Sequence, residues 1–85
     1  MELIFKDTAL EDLEYFRTSG NKGIQKKIQE LIEDILKHPF TGKGKPEPLK
    51  YELSGCYSRR ITGEHRIVYL VQKDELHILS LRGHC

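Results

Sequence analysis

KGKPEPLKYELSGCYSRRITGEHRIVYLV, residues 43 to 71, passes from a loop rich in glycine and lysine into runs of β character. The runs Tyr57 to Ile61, His65 to Val71 and, further on, Leu76 to Leu81 are separated by Thr62-Gly63-Glu64 and by Lys73-Asp74-Glu75. Short apolar runs broken by turn residues predict adjacent antiparallel strands joined by hairpins. The same stretch carries a rigid Pro46-Glu47-Pro48 unit and five cationic side chains near it: Lys43, Lys45, Arg59, Arg60 and Arg66. It reads as a charged site mounted on a sheet.

What precedes it reads as helical support. Leu3-Ile4-Phe5 suits a first strand that ends at a helix start. Thr8 and Glu11 have capping-box spacing, with Asp7 a competing cap, and Leu10, Leu13 and Phe16 follow at helical intervals. Gly20 ends this helix and Asn21 can cap the next, so the two form an antiparallel hairpin. In the second helix Ile24, Ile28, Leu31, Ile32, Ile35 and Leu36 share one face, opposite Lys26, Lys27, Gln29, Glu30 and Glu33. His38-Pro39 stops it. The loop from Thr41 to Pro46 lacks the GK[ST] that opens a helix in phosphate-cradling motifs. The predicted architecture is α+β, an N-terminal strand and helical hairpin on one face of a small, mostly antiparallel sheet, in a single domain spanning residues 1–85.

Eighty-five residues allow one modest core with little stability to spare. The net charge of +1 conceals an asymmetry. Residues 1–42 hold 6 Lys/Arg against 8 Asp/Glu, and residues 43–85 hold 8 against 5. The basic charge therefore sits in the second half, which suits a polyanionic partner. The two cysteines, Cys56 and Cys85, have no zinc-ligand spacing and read as free thiols of a reducing compartment. No apolar run is long enough for a signal peptide or a membrane span, so the expected setting is the cytoplasm, with no membrane partner.

Strand alternation gives the charged residues a direction. In the run from His65 to Val71, Ile67, Tyr69 and Val71 share one face and Arg66, Val68 and Leu70 the other. Burying Arg66 among aliphatics would cost several kcal/mol unless it were paired. The favoured arrangement groups Ile67, Tyr69, Val71, Leu79 and Leu81 under the helices and puts Arg66, Arg82 and His84 together on the open face. That requires an odd-length hairpin loop or a bulge.

A carboxylate, several arginines and a histidine on an open sheet surface suit cleavage of RNA by its own 2′-hydroxyl. Such a reaction needs a base for that proton, cations for the charge building on the phosphate and an acid for the departing 5′-oxygen. Glu47, held between prolines, fits the base. Arg66 fits the stabiliser of the phosphorane, and Lys50, Arg59 and Arg60 can grip phosphates through charge-assisted bonds. His84 fits the acid, since an imidazole titrates near pH 6.5 (about one unit either way). Tyr57 and Tyr69 offer aromatic faces, Tyr69 more readily as core. His38, His65 and His77 have no partners at metal-ligand spacing, and neither a metal nor a cofactor is expected.

The run PFTGKGKPEPLKYELSGCYSRRITGEHRIVYLV, together with the closing RGHC, resembles the YoeB/Txe family of toxins from bacterial type II toxin–antitoxin systems, in the wider RelE/ParE superfamily. The resemblance covers essentially the whole chain and is most specific over GKGKPEPLK, LSG, SRRIT, EHR and VY. It implies a RelE-like fold and a ribosome-dependent mRNA endonuclease, an mRNA interferase that enters the 30S A site and cuts the codon there. It also implies neutralisation by a cognate YefM-like antitoxin, and a homodimer. The family's catalytic glutamate, arginine and histidine fall on Glu47, Arg66 and His84, and its RNA-contacting basic positions on Lys50, Arg59 and Arg60. The departure is at Cys85, where similar members carry an aromatic residue. A thiol cannot replace base stacking worth about 1–3 kcal/mol per base.

Two other functions use the same features. A ParE-like, non-nucleolytic toxin would act on a protein target such as gyrase with the same fold. A plain RNA-binding module would use the basic face without chemistry. The set Glu47, Arg66 and His84 distinguishes a nuclease from both.

Overall fold

The computed structural model describes residues 1–83, so His84 and Cys85 lie outside the described residues. β1 (Glu2–Phe5) leads into α1 (Asp7–Thr18) and α2 (Lys22–Lys37). β2 (Glu47–Pro48), a 3-10 turn (Tyr51–Leu53), β3 (Tyr57–Arg60), β4 (Arg66–Gln72) and β5 (Glu75–Gly83) follow. One sheet runs in the order β1-β5-β4-β3-β2. It is antiparallel from β2 to β5, and β1 pairs parallel to β5. Among the described residues no helix is long and apolar enough to cross a membrane.

The helical hairpin forms as its sequence pattern predicts. Asn21 Oδ1 accepts from the Ile24 N–H at 3.1 Å, capping α2. Ile28, Leu31, Ile32 and Ile35 are buried against Ile67, Tyr69, Leu76, Ile78 and Leu81 of the sheet. α1 differs in detail. It begins at Asp7, so Thr8 and Glu11 fall inside its first turns and form no capping box, and Asp7 supplies the negative charge that suits a helix N-terminus. Its buried residues are Ala9 and Phe16, while Leu10 is exposed.

The faces of β4 follow the alternation. Ile67 and Tyr69 are fully buried under the helices, which puts Arg66 and Val68 on the opposite face. β5 departs from it. Tyr69 pairs with Ile78, yet Val68 pairs with Ser80 and Arg66 with Gly83, so β5 carries extra residues at two register shifts. These bulges turn the strand over. Leu76 and Ile78 join the core before the first bulge and Leu81 after it, whereas Leu79, expected in the core, is only half-buried. The second shift also moves Arg82 off the open face: its guanidinium lies 3.8 Å from the centroid of the Tyr15 ring on α1. Past the end of β1, the free edge of β5 is satisfied by α1, where Asp12 Oδ2 accepts from the Leu81 N–H at 2.9 Å.

The segment between α2 and β2 is organised by Arg59. This side chain has 0% exposure. Its Nη1 donates to Asp34 Oδ2 at 2.6 Å and to the Lys43 carbonyl at 3.1 Å. Its Nη2 donates to the carbonyls of His38 and, at 2.7 Å, Thr41. Nε donates to the Tyr69 hydroxyl at 3.1 Å, which in turn donates to the Pro39 carbonyl at 2.7 Å. Glycines let the loop close over this centre. A Cβ on Gly42 would sit 2.2 Å from Asp34 Oδ2, and one on Gly44 would sit 3.0 Å from the Arg60 carbonyl, both at positive φ.

The Arg59 hydrogen bond, then that of the Lys43 N–H, holds the Asp34 carboxyl below its ordinary value of 3.8. Folding therefore gains from this group above the unfolded value and loses the gain as pH falls toward the folded one. Asp34→Ala leaves a buried guanidinium without its counter-charge, and we expect urea unfolding at pH 7 to show a loss of about 3 kcal/mol. Below about pH 4 the wild type should lose stability more steeply than the variant. Equal stability at pH 7 would contradict this role.

Candidate functional site

The open face of the sheet brings residues from four strands into rows. Glu47 pairs with Ser58, Ser58 with Val68 and Val68 with Ser80. In the adjoining row Arg60 lies opposite Arg66, which lies opposite Gly83. The guanidinium of Arg66 reaches back along this face: Nη1 is 3.3 Å from Ser58 Oγ and 3.5 Å from Glu47 Oε2. Arg66 and Glu47, the predicted cation and base, are thus brought together. Their burial differs, the Arg66 side chain being 17% exposed and that of Glu47 60%. The cation is fixed against the sheet and the carboxylate is presented to solvent.

Glu47 owes its position to the prolines. β2 is only two residues long and occupies the sheet edge, where Pro48, lacking an N–H, leaves no interior ladder bond unmade. Ser58, fully buried, is the residue that sequence reasoning missed. Its hydroxyl faces Arg66 and can accept from it. Parity along Tyr57-Ser58-Arg59-Arg60 would have placed it beside Arg60.

The predicted phosphate contacts divide. Lys50, which precedes the 3-10 turn, and Arg60, at the end of β3, are exposed. Lys43 and Lys45 are exposed as well. Arg59 is not available: alternation turns it to the helical face, where its donors are taken by Asp34, Tyr69 and main-chain carbonyls. Tyr69 is fully buried and Tyr57 partly so, stacked on each other with centroids 6.1 Å apart, so neither reaches the open face. His65 packs edge-on to Phe16 and His77 lies 3.0 Å from Glu75.

Arg60 and Arg66 stand directly opposite each other on neighbouring strands, an arrangement that costs stability when the charges are alike. Glu47 relieves one side of it. The remaining positive potential fits an anion bound beside the carboxylate, so a phosphate can be held next to a proton acceptor.

Residues 5–85 match the family described as YoeB-like toxin of bacterial type II toxin-antitoxin system. Toxin YoeB of Escherichia coli K12 is 52% identical over 84 residues, covering 99% of each chain. Toxin YoeB of Streptomyces coelicolor is 45% identical over 84 residues, again 99% of each. In three dimensions the chain superposes on a YoeB/ParE toxin from Agrobacterium tumefaciens with a TM-score of 0.95, at 38% identity and full coverage of both chains. It superposes on the YoeB dimer from Staphylococcus aureus with a TM-score of 0.91, at 42% identity, covering 100% of this chain and 98% of that one. A YoeB-YefM complex from the same organism gives 0.88 at 43% identity, with the same coverage. The fold is RelE-like, and by sequence and by structure this chain belongs to the YoeB-like toxins of bacterial type II toxin–antitoxin systems.

Proposed function

We propose that this toxin is a ribosome-dependent mRNA endonuclease that cuts the message in the 30S A site by attack of a 2′-hydroxyl, without a metal. The observation that carries the reading is the contact of Glu47 with Arg66 on the open face, next to the opposed Arg60. Glu47 takes the 2′-hydroxyl proton. Arg66, steadied by Ser58, faces the charge that develops on the phosphate. Lys50 and Arg60 hold neighbouring phosphates, and Arg59 has no part in this because its donors are engaged. His84 protonates the departing 5′-oxygen. A carboxylate is a weak base at neutral pH, so much of the rate must come from the ribosome aligning the 2′-hydroxyl for in-line attack.

The same reading assigns a YefM-like antitoxin as the neutralising partner and a homodimer as the free form, supported by the S. aureus YoeB-YefM complex and YoeB dimer. The protein then works in the cytoplasm, where its substrate is. The exposed carboxylate and cationic face give an antitoxin a surface to cover.

Mapping message ends on programmed ribosomes tests the reading. The wild type should create new ends, and Glu47→Ala should lower their rate by at least about 100-fold, the usual contribution of a general base, with ribosome binding largely kept. Intact message with tight binding by the wild type would favour a binding module instead. In the same assay, Cys85→Tyr should raise the cleavage rate by restoring an aromatic face worth about 1–3 kcal/mol. An unchanged or lower rate would count against a positioning role for that residue.

A further inference from the structure

β2, which carries Glu47, is flanked by two residues in the left-handed region, Lys45 at φ 54 and Tyr51 at φ 60. Residues other than glycine are uncommon in that region, and a bulky side chain there is an outlier. Tyr51 is also 89% exposed, more than any other large hydrophobic residue described, so it makes almost no packing contact in return. The turn that holds it is stitched by main-chain bonds on both sides, Leu53 N–H to the Lys50 carbonyl at 3.2 Å and Ser54 N–H to that of Tyr51 at 3.0 Å. Glycine would fit the same turn without strain. A strained aromatic held away from the core, next to a lysine, has the makings of a stacking platform with a phosphate grip beside it.

Its place relative to the Glu47–Arg66 pair fits that use. The ladder of β2 and β3 continues one residue past Pro48, where the Leu49 N–H donates to the Cys56 carbonyl at 2.9 Å. Tyr51 therefore sits just beyond the paired strand, four residues from Glu47 and so no more than roughly 13 Å from it along the chain. That is a span of a few nucleotides. We infer that Tyr51 is a substrate-positioning residue that stacks on an unpaired base of the message flanking the cleaved phosphate, while Lys50 holds the adjoining phosphate. The inference rests on the nuclease reading above, and its test separates the two.

The variant Tyr51→Gly relieves the backbone and removes the ring. On programmed ribosomes it should raise the half-saturating concentration by about ten-fold or more while leaving the rate at saturation within about two-fold, and its melting temperature should equal or exceed that of the wild type. Tyr51→Phe should behave as the wild type. A melting temperature that falls in parallel with activity, or Tyr51→Gly cleaving like the wild type, overturns the assignment. A second measurement does not depend on catalysis. The chain has no tryptophan, so Tyr51→Trp installs a sole reporter, and a short 2′-O-methyl oligonucleotide should quench it while an abasic strand of equal length should not. Equal quenching by both, or none, overturns the proposal. Quenching by bases alone, in a protein whose Glu47→Ala form still cleaves, retains Tyr51 as a base-binding residue and removes the catalytic reading instead.

Discussion

A guanidinium shut away from solvent must find acceptors inside the protein for its five N–H donors, and Arg59 finds five: one carboxylate, one phenol and three main-chain carbonyls. Because those carbonyls belong to His38, Thr41 and Lys43, one side chain of β3 dictates the path of the segment leading from α2 to β2. Because the carboxylate is Asp34 of α2 and the phenol is Tyr69 of β4, it also ties that path to both layers. Such a centre is stable only when complete, since a missing partner leaves a desolvated charge. Its neighbours in sequence, Ser58 and Arg60, point the other way and stand in the candidate site. The scaffold and the site are thus alternate residues of one strand.

At the far side of the site, β5 solves a different problem. A nine-residue strand with strict alternation could not bury both the pair Leu76 and Ile78 and the later Leu81, because their parities differ. The bulges reconcile them. Beyond Ile78, where the short β1 ends, α1 meets the strand edge with the Asp12 carboxylate and the face of Tyr15. The strand is thereby held as far as Gly83, where a side chain would crowd Val68 and the Arg66 carbonyl.

Much of this was legible in the amino acids. The 3.6-residue period of α2, the Asn21 cap and the stop at His38-Pro39 are local signals, and the structure follows them. The side of the sheet that Arg66 occupies followed from the cost of burying it, as did the need for a bulge. The position of that bulge did not follow, since alternation counted back from Leu81 predicts Leu79 in the core, and nothing in the composition of β5 marks the extra residues. Arg82 was misplaced for the same reason. Arg59 is a different kind of miss. Its parity with Tyr57 and Ile61 was available, but a buried arginine is sensible only once Asp34 and three carbonyls are known to converge on it, and they lie 16 to 25 residues away. β2 was hidden by its prolines, which argue against a strand except at an edge.

The two faces of the sheet also differ in what they do to stability. Beneath the helices every charge and hydroxyl around Arg59 is matched, whereas the open face opposes Arg60 to Arg66, and left-handed Lys45 and Tyr51 flank its edge strand β2. In a domain of 85 residues, where stability is small, such features persist only if something else holds the backbone in place. The Arg59 centre does this from the opposite side. An anion seated between Arg60 and Arg66 removes the repulsion rather than adding to an already satisfied network, so its binding free energy includes relief of that repulsion and stabilises the fold through linkage. By the same reasoning acidic groups placed over the opposed arginines complement this face.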